Sequence, residues 1–478
     1  MSLKWGASLV LVCLATAIDL NAQTFTTLVN FDGTNGGNPL GKLVQGLDGN
    51  LYGTTSSDGA HFFGTVFKIT PAGTLTTLHS FDVADGETPQ AGLILATDGN
   101  FYGTTSYGGA YVGSGGTVFK LTAAGKVTTL YSFCAQTGCP DGAQSVAELV
   151  QAANRNLFGT TFNGGAYQDG TVFQITLSGT VTTYGFDGGD GWSPEGALVQ
   201  GSNGDFYGTT IGGGGNLTCP TSPGCGVVFK MTPSGMLTAL YNFCAQANCT
   251  DGSFPSAGLV QATNGSFYGT TSHGGTSNCH GGCGTIFEIT PSGTLKTLYA
   301  FNRADGASPS SGVVQATDGN FYGTTLSGGT STNCDGGCGT IFKLTSSGVL
   351  TVLHNFDGTE GFQPKKGLIQ ATDGTFYGTT YGGGTRGDGT VFRLSVGLSP
   401  FIKTIPTSCK VGSKVIILGN NLTGATSVTF NATPVASFTV NKTGSAISTT
   451  VPTGATTGTV QVVTPSGTLS SNVVFRVR

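Results

Sequence analysis

Charged side chains are scarce in this chain: Asp, Glu, Lys and Arg make up 9% of its 478 residues. With no basic stripe among them, a nucleic-acid partner is excluded. Histidine is rare as well, at 5 copies, and no nucleophile or paired acid stands near one at an informative spacing. No linear catalytic motif is therefore present. Beyond residue 22 no segment is long and apolar enough to span a bilayer, so no transmembrane segment is expected after processing. Amphipathic helical periodicity is missing, and with it any glycine loop that cradles phosphate at a helix start. What the chain has instead is glycine, 81 residues of it, with 17 Pro and 10% aromatics. Glycine at that level serves many tight turns, while the aromatics supply a core that a disordered chain lacks. The composition predicts a folded, turn-rich, all-β protein.

Residues 1–22 read as a secretory signal peptide, with Lys4 as the basic start and Trp5 to Ile18 as the apolar stretch. Asn21-Ala22 before Gln23 gives a small residue at the cleavage point. The expected location is secreted, extracellular or cell surface.

Three short patterns then recur in one order. Tyr-Gly-Thr-Thr, or Phe-Gly-Thr-Thr in one copy, starts at Tyr52, Tyr102, Phe158, Tyr207, Tyr268, Tyr322 and Tyr377. A Gly-Thr-Val-Phe-Lys type segment follows, with its Phe at 67, 119, 173, 229, 287, 342 and 392. A Thr-Thr-Leu-x-x-Phe type segment ends at Phe31, Phe81, Phe133, Phe186, Phe243, Phe301 and Phe356. The first pattern recurs 50, 56, 49, 61, 54 and 55 residues apart, a period that suits a propeller blade. Each unit resolves into four strands with an Asp-Gly or Asn-Gly turn after the first, as at Asp318-Gly319, except the third, which has Asn154-Arg155. The Thr-Thr-Leu-x-x-Phe segment comes first in the chain and is missing from the last unit. That offset predicts a seven-bladed β-propeller over residues 23–397, closed by an N-terminal strand that removes exposed edges.

The repeat stops after Leu398. Residues 398–478 hold six short apolar segments separated by Gly, Asn and Pro, which predicts an immunoglobulin-like β-sandwich. The formal net charge is −4 overall and +6 in this tail. Lys4 and Asp19 of the signal cancel, so the repeats carry −10. Opposite charges either dock the tail on the repeats, present it to an anionic surface, or are mere scatter over a polar β surface.

The repeated motifs, such as DGNFYGTT at Asp98–Thr105 and GGTVFKLT at Gly115–Thr122, resemble the GloVer tandem repeat of choice-of-anchor proteins. The tail resembles an IPT/TIG domain in Pro406, Gly412, Val415 to Gly419, Asn421 to Ala425, Val451-Pro452, Thr464-Pro465 and Gly467. The first resemblance implies a propeller without an established activity, and neither supplies a catalytic motif. Members of the first family often end in a sorting segment. None is seen here, which favours free secretion or non-covalent surface association.

Short, uniform turns share one end of the blades, and the variable loops share the other, where binding sites usually sit. Five close cysteine pairs fall in those loops: Cys134 with Cys139, Cys219 with Cys225, Cys244 with Cys249, Cys279 with Cys283, and Cys334 with Cys338. In an exported chain they read as disulfides, against a rival metal reading prompted by Cys279-His280-Gly281-Gly282-Cys283. Cys409 is left free. Asn35, Asp85, Asp141, Asp190, Asp251, Asp305 and Glu360 each precede a Gly in the crossing loops. Such a ring either makes turns or binds calcium, the one cofactor considered. Gln45, Gln151, Gln200, Gln261, Gln315 and Gln370 recur on the innermost strand, to satisfy backbone groups or line a channel. Departures from the repeat are better site candidates, because a structural residue recurs and a site does not. These are Trp192, Tyr107, Tyr111, Tyr167 and Tyr381, aromatic platforms beside groups that meet sugar hydroxyls, with Asp190 of the ring as the acid next to Trp192. The expected partner is an extracellular polysaccharide or a surface protein. The alternatives are a carbohydrate-active hydrolase or lyase with acids at the channel mouth, and a structural surface-layer protein.

Overall fold

A computed structural model describes residues 23–111, 115–216, 219, 224–275 and 279–478. The signal-peptide reading lies outside the described residues. Apart from one 3-10 turn at Ala247–Cys249, the described secondary structure is all β.

The sixth unit shows why the motif recurs. Val314–Gln315, Phe321–Thr325, Thr340–Leu344 and Leu350–Asn355 form one antiparallel sheet in chain order. The second strand is buried throughout and the third at all but Lys343, whereas the fourth is partly exposed. Gly323 pairs with Phe342, and a Cβ on Gly323 would stand 2.6 Å from the Phe342 ring. The glycine of the motif is therefore a bed for an aromatic ring. Its counterparts at Gly53, Gly103, Gly159, Gly208, Gly269 and Gly378 hold the matching phenylalanines just as closely. Of the two threonines, Thr325 bonds Thr340 across the sheet at 2.9 Å. Thr324 donates to Pro364 O of the next unit at 2.9 Å. Tyr322 packs on Phe376 of that unit with centroids 4.3 Å apart, and its hydroxyl donates to Asp318 of the Asp-Gly turn. One motif thus fixes a strand, its sheet partner and the neighbouring unit.

Seven such four-stranded sheets are described between residues 24 and 395. The seventh consists of Ile369–Gln370, Phe376–Thr380, Thr390–Ser395 and the chain's opening strand Thr24–Asn30, paired antiparallel to Thr390–Ser395. The recurring glutamines bond backbone groups between units. Each side-chain oxygen accepts from a turn N–H of the preceding unit at 2.9–3.2 Å, and Gln45 reaches Thr372 of the last.

The tail forms two four-stranded sheets. One joins Lys403–Ile405, Lys414–Leu418, Ala446–Thr450 and Phe438–Val440. The other joins Thr433–Pro434, Ser427–Phe430, Val460–Thr464 and Gly467–Ser470. Val415, Ile417, Val428, Phe430, Ile447 and Val460 from the two share one core, against which Cys409 packs half-buried with its thiol free. The sequence places a last apolar segment at Val473–Val477, of which Arg476–Val477 forms a strand, pairing in parallel with Ser408–Cys409.

The tail sits on the short-turn end of the repeats, and charge is not what seats it. Among the described residues no ion pair joins the two parts. Instead Leu418 and Ala446 pack with Leu47 and Leu95. Asn441 Nδ2 and Ser445 Oγ donate to Leu47 O at 2.6 and 2.5 Å, and Phe401 N donates to Thr372 O at 2.9 Å. Leu95 stands where the other six units carry the glutamine, so the seat is a break in the repeat.

Candidate functional site

The crossing loop into each unit pairs with that unit's own within-sheet loop through short bridges. Examples are Glu87 with Tyr107, Ala143 with Asn163 and Trp192 with Gly212. The two kinds of variable loop therefore share one end of the sheets. All five cysteine pairs on it are disulfides, as expected. Cys134 is bonded to Cys139, Cys219 to Cys225, Cys244 to Cys249, Cys279 to Cys283 and Cys334 to Cys338. The Cys279 and Cys283 sulfurs are thus spent on each other, which removes the thiolates that the metal reading required. Among the described residues, the one set of three candidate metal-ligating atoms is Cys219, Cys225 and Cys244, whose sulfurs belong to two of these bridges.

The acidic ring is tied into the protein. Asp141, Asp251 and Asp305 accept from the hydroxyls of Tyr131, Tyr241 and Tyr299 at 2.8, 2.8 and 2.5 Å. Each also accepts from backbone N–H groups of its own loop. Asp85 and Glu360 meet the imidazoles of His79 and His354 at 2.7 and 2.5 Å. Asn35 accepts from the Asp32 N–H. These carboxylates have protein partners rather than a free oxygen cage, which favours the turn reading over calcium.

Asp190 is the exception. It accepts from the Asp187 N–H at 3.0 Å, yet among the described residues no tyrosine or histidine bonds it as in the neighbouring loops. Burial first, with the Asp187 charge added, pushes its carboxyl up to about 6. Asp169, on the adjoining loop, is raised by burial and by the same Asp187. Ser193 N donates to Asp169 O at 2.9 Å, which locks that loop to the one bearing Asp190 and Trp192. Trp192 is half-buried with its indole lying on Gly212. Tyr167, two residues before Asp169, is 66% exposed.

Tyr107 and Tyr111 are exposed in the second unit, and Gln144 of the next crossing loop donates to the Tyr107 hydroxyl at 3.2 Å. Five of the six candidates thus occupy consecutive loops of the second to fourth units. Tyr381 stands apart in the seventh unit, with Lys365 Nζ 3.5 Å from its ring centroid.

A second feature escaped the sequence. Residues from all seven units line a central cavity of about 280 Å³, among them Lys42, Glu148, Glu195 and Lys366. These charges occupy three different positions of the segment before the innermost strand, so no single column of the repeat reveals them. Elsewhere that segment is mostly small or apolar, and this departure was the available signal.

Residues 15–140, 134–333 and 220–407 match the Gloeobacter/Verrucomicrobia repeat. The chain belongs to this family. No curated protein matches it in sequence. Among solved structures, this Gloeobacter/Verrucomicrobia repeat protein is similar to a catalytically inactive virginiamycin B lyase from Staphylococcus aureus with quinupristin. The TM-score is 0.51 at 15% identity, over 78% of this chain and 99% of that one. It is also similar to a fungal alcohol oxidase of the AA5 family in complex with copper. There the TM-score is 0.52 at 12% identity, over 95% of this chain and 98% of that one. At these identities the likeness is one of fold, β-propeller-like in the repeats, and the second match is too long to leave out the tail.

Proposed function

We propose that this is a secreted or cell-surface binding module for extracellular polysaccharide. In this reading residues 1–22 are the removed signal, and residues 23–397 are a seven-bladed propeller closed by its first strand. Residues 398–478 are an IPT/TIG-type immunoglobulin-like domain. Five disulfides, and the lack of a membrane-spanning helix among the described residues, are consistent with that location.

The observation that carries the reading is the gathering of non-repeated aromatic side chains with the acid Asp190 on consecutive loops. Tyr107, Tyr111 and Tyr167 offer exposed ring faces, and Asp190 and Trp192 adjoin Tyr167 on the locked loop. Aromatic faces cover the apolar side of a sugar ring, and carboxylates meet its hydroxyls. Purified residues 23–478 should be retained by at least one of a panel of polysaccharides, with no oligosaccharide released and with no dependence on calcium. Tyr167→Ala and Trp192→Ala should each weaken retention tenfold or more; unchanged affinity in both would remove this site. Glu148 and Glu195 in the central cavity favour the second reading, a carbohydrate-active hydrolase or lyase. Released oligosaccharide, abolished by Glu148→Gln or Glu195→Gln, would establish that reading instead.

A further inference from the structure

Toward the end covered by the tail a chamber of about 390 Å³ lies between the innermost strands and the tail, sharing Lys42 and Glu148 with the central cavity. That volume falls in the range of small-molecule sites. Its walls are mainly apolar, with Leu95 and Ile369 from the repeats and Leu418 from the tail. Three charged side chains enter it: Lys42, Glu148 and Lys403. Lys403 comes from the tail, donates to Gln370 O and has its Nζ 5.5 Å from the Phe401 ring centroid. Among the described residues neither lysine has a carboxylate within 4.0 Å.

We propose that this chamber is a binding site for a small monocarboxylate with an apolar body, its carboxylate held by Lys42 and Lys403. The apolar walls require a ligand that is mostly hydrocarbon. The two ammonium groups require an anion, since a pair of like charges without an acid partner gains from one placed between them. Glu148 limits that anion: two positive charges and one negative leave a single positive charge, which fits a carboxylate better than a phosphate dianion. No metal or cofactor is needed. The chamber lies away from the variable loops that carry the polysaccharide-binding reading, while Lys42 and Glu148 also line the central cavity.

Protonation supports the assignment. Burial first, then the Lys42 charge, pushes the Lys403 ammonium down to about 8, with Asp373 opposing. Asp373 is engaged by the Tyr377 hydroxyl at 3.1 Å and by the Thr375 N–H at 2.9 Å and forms no ion pair with Lys403. A bound carboxylate would hold the proton on Lys403, and its affinity would therefore fall as the pH rises through about 8.

The test is calorimetry on residues 23–478 with octanoate, octanol and octyl phosphate. Octanoate should bind near neutral pH at least tenfold more tightly than either of the others, and should weaken about tenfold by pH ~9.5. Lys403→Gln and Lys42→Gln should each lose tenfold or more, while Lys403→Arg retains binding; thermal melts confirm that each variant folds. Equal binding of octanol or octyl phosphate by the unmodified protein would overturn the proposal without any variant. So would an absence of octanoate binding, or binding that survives both glutamine substitutions. Polysaccharide retention by the two Lys403 variants should be unchanged, which keeps the two sites distinguishable.

Discussion

The two ends of the repeat sheets break the same repeat in different ways. At the short-turn end the departures are leucines, Leu47 and Leu95, and they lie under the tail. At the variable end they are aromatic and charged residues, and Tyr167 at 66% exposure lies under nothing. A residue that recurs in every unit answers a demand of the fold. A residue that departs marks what one unit alone must do, and its chemistry tells whether that is packing or recognition.

The strongest way to break this contrast is to alter a recurring residue. Phe342 is fully buried on Gly323, and Phe342→Ala should cost about 3–5 kcal/mol, read as a large fall in the denaturation midpoint. Removing the exposed Tyr167 ring should leave the midpoint within about 0.5 kcal/mol. Equal losses at the two would erase the distinction. Next comes restoring the repeat where it departs. Leu95→Gln puts an unpaired amide against Leu418 and should weaken the seat of the tail by about 2–3 kcal/mol. Limited proteolysis should then cut near residue 398 while the repeats stay intact. An unchanged cleavage pattern would show that Leu95 does not hold the tail.

What the sequence revealed follows the same division. The all-β class and the four-stranded units were legible because seven near-copies report the same constraint seven times; the glutamine contacts repeat in six units, and the five disulfides were legible in close cysteine spacing instead. The seat of the tail was not, although Leu95 in the glutamine column was visible. Charge asymmetry left electrostatic docking as one of several readings, and the contact is made by leucine side chains and backbone carbonyls, neither of which shows in a charge count. The central cavity was hidden for a geometric reason: Lys42, Glu148, Glu195 and Lys366 meet only because different blades converge, so their sequence offsets differ. Among the candidates, Asp190 and Tyr167 adjoin through Ser193 and Asp169, a contact no linear spacing contains.

The acidic ring allows a finer comparison. Tyr299→Phe removes the hydroxyl bonded to Asp305 and should cost about 1 kcal/mol. Tyr184 holds the matching position before Asp190, but its hydroxyl makes no hydrogen bond among the described residues, so Tyr184→Phe should be close to neutral. Chemical denaturation of the two variants at neutral pH checks this. Equal losses would mean that Asp190 is held as its neighbours are.

The smallest effect is the most diagnostic, because its sign depends on pH. The Asp190 carboxyl lies at about 6 in the folded chain against an ordinary 3.8. Between those values the folded chain keeps a proton that the unfolded chain has released. Its favourable contribution is therefore complete below about pH 4 and is lost as pH rises through about 6. Asp190→Asn cannot ionise and retains an oxygen to accept the Asp187 N–H. It should match the parent in thermal melts near pH ~3.5 and exceed it by less than about 1 kcal/mol near pH ~7, since the group is partly solvated. Asp305→Asn should do the reverse at neutral pH. One amide oxygen must then replace two carboxylate oxygens that accept from Tyr299 Oη and Asn302 N. Opposite signs at these two equivalent positions would mark Asp190 as an acid held against its own stability, which a residue serving only the turn has no reason to be.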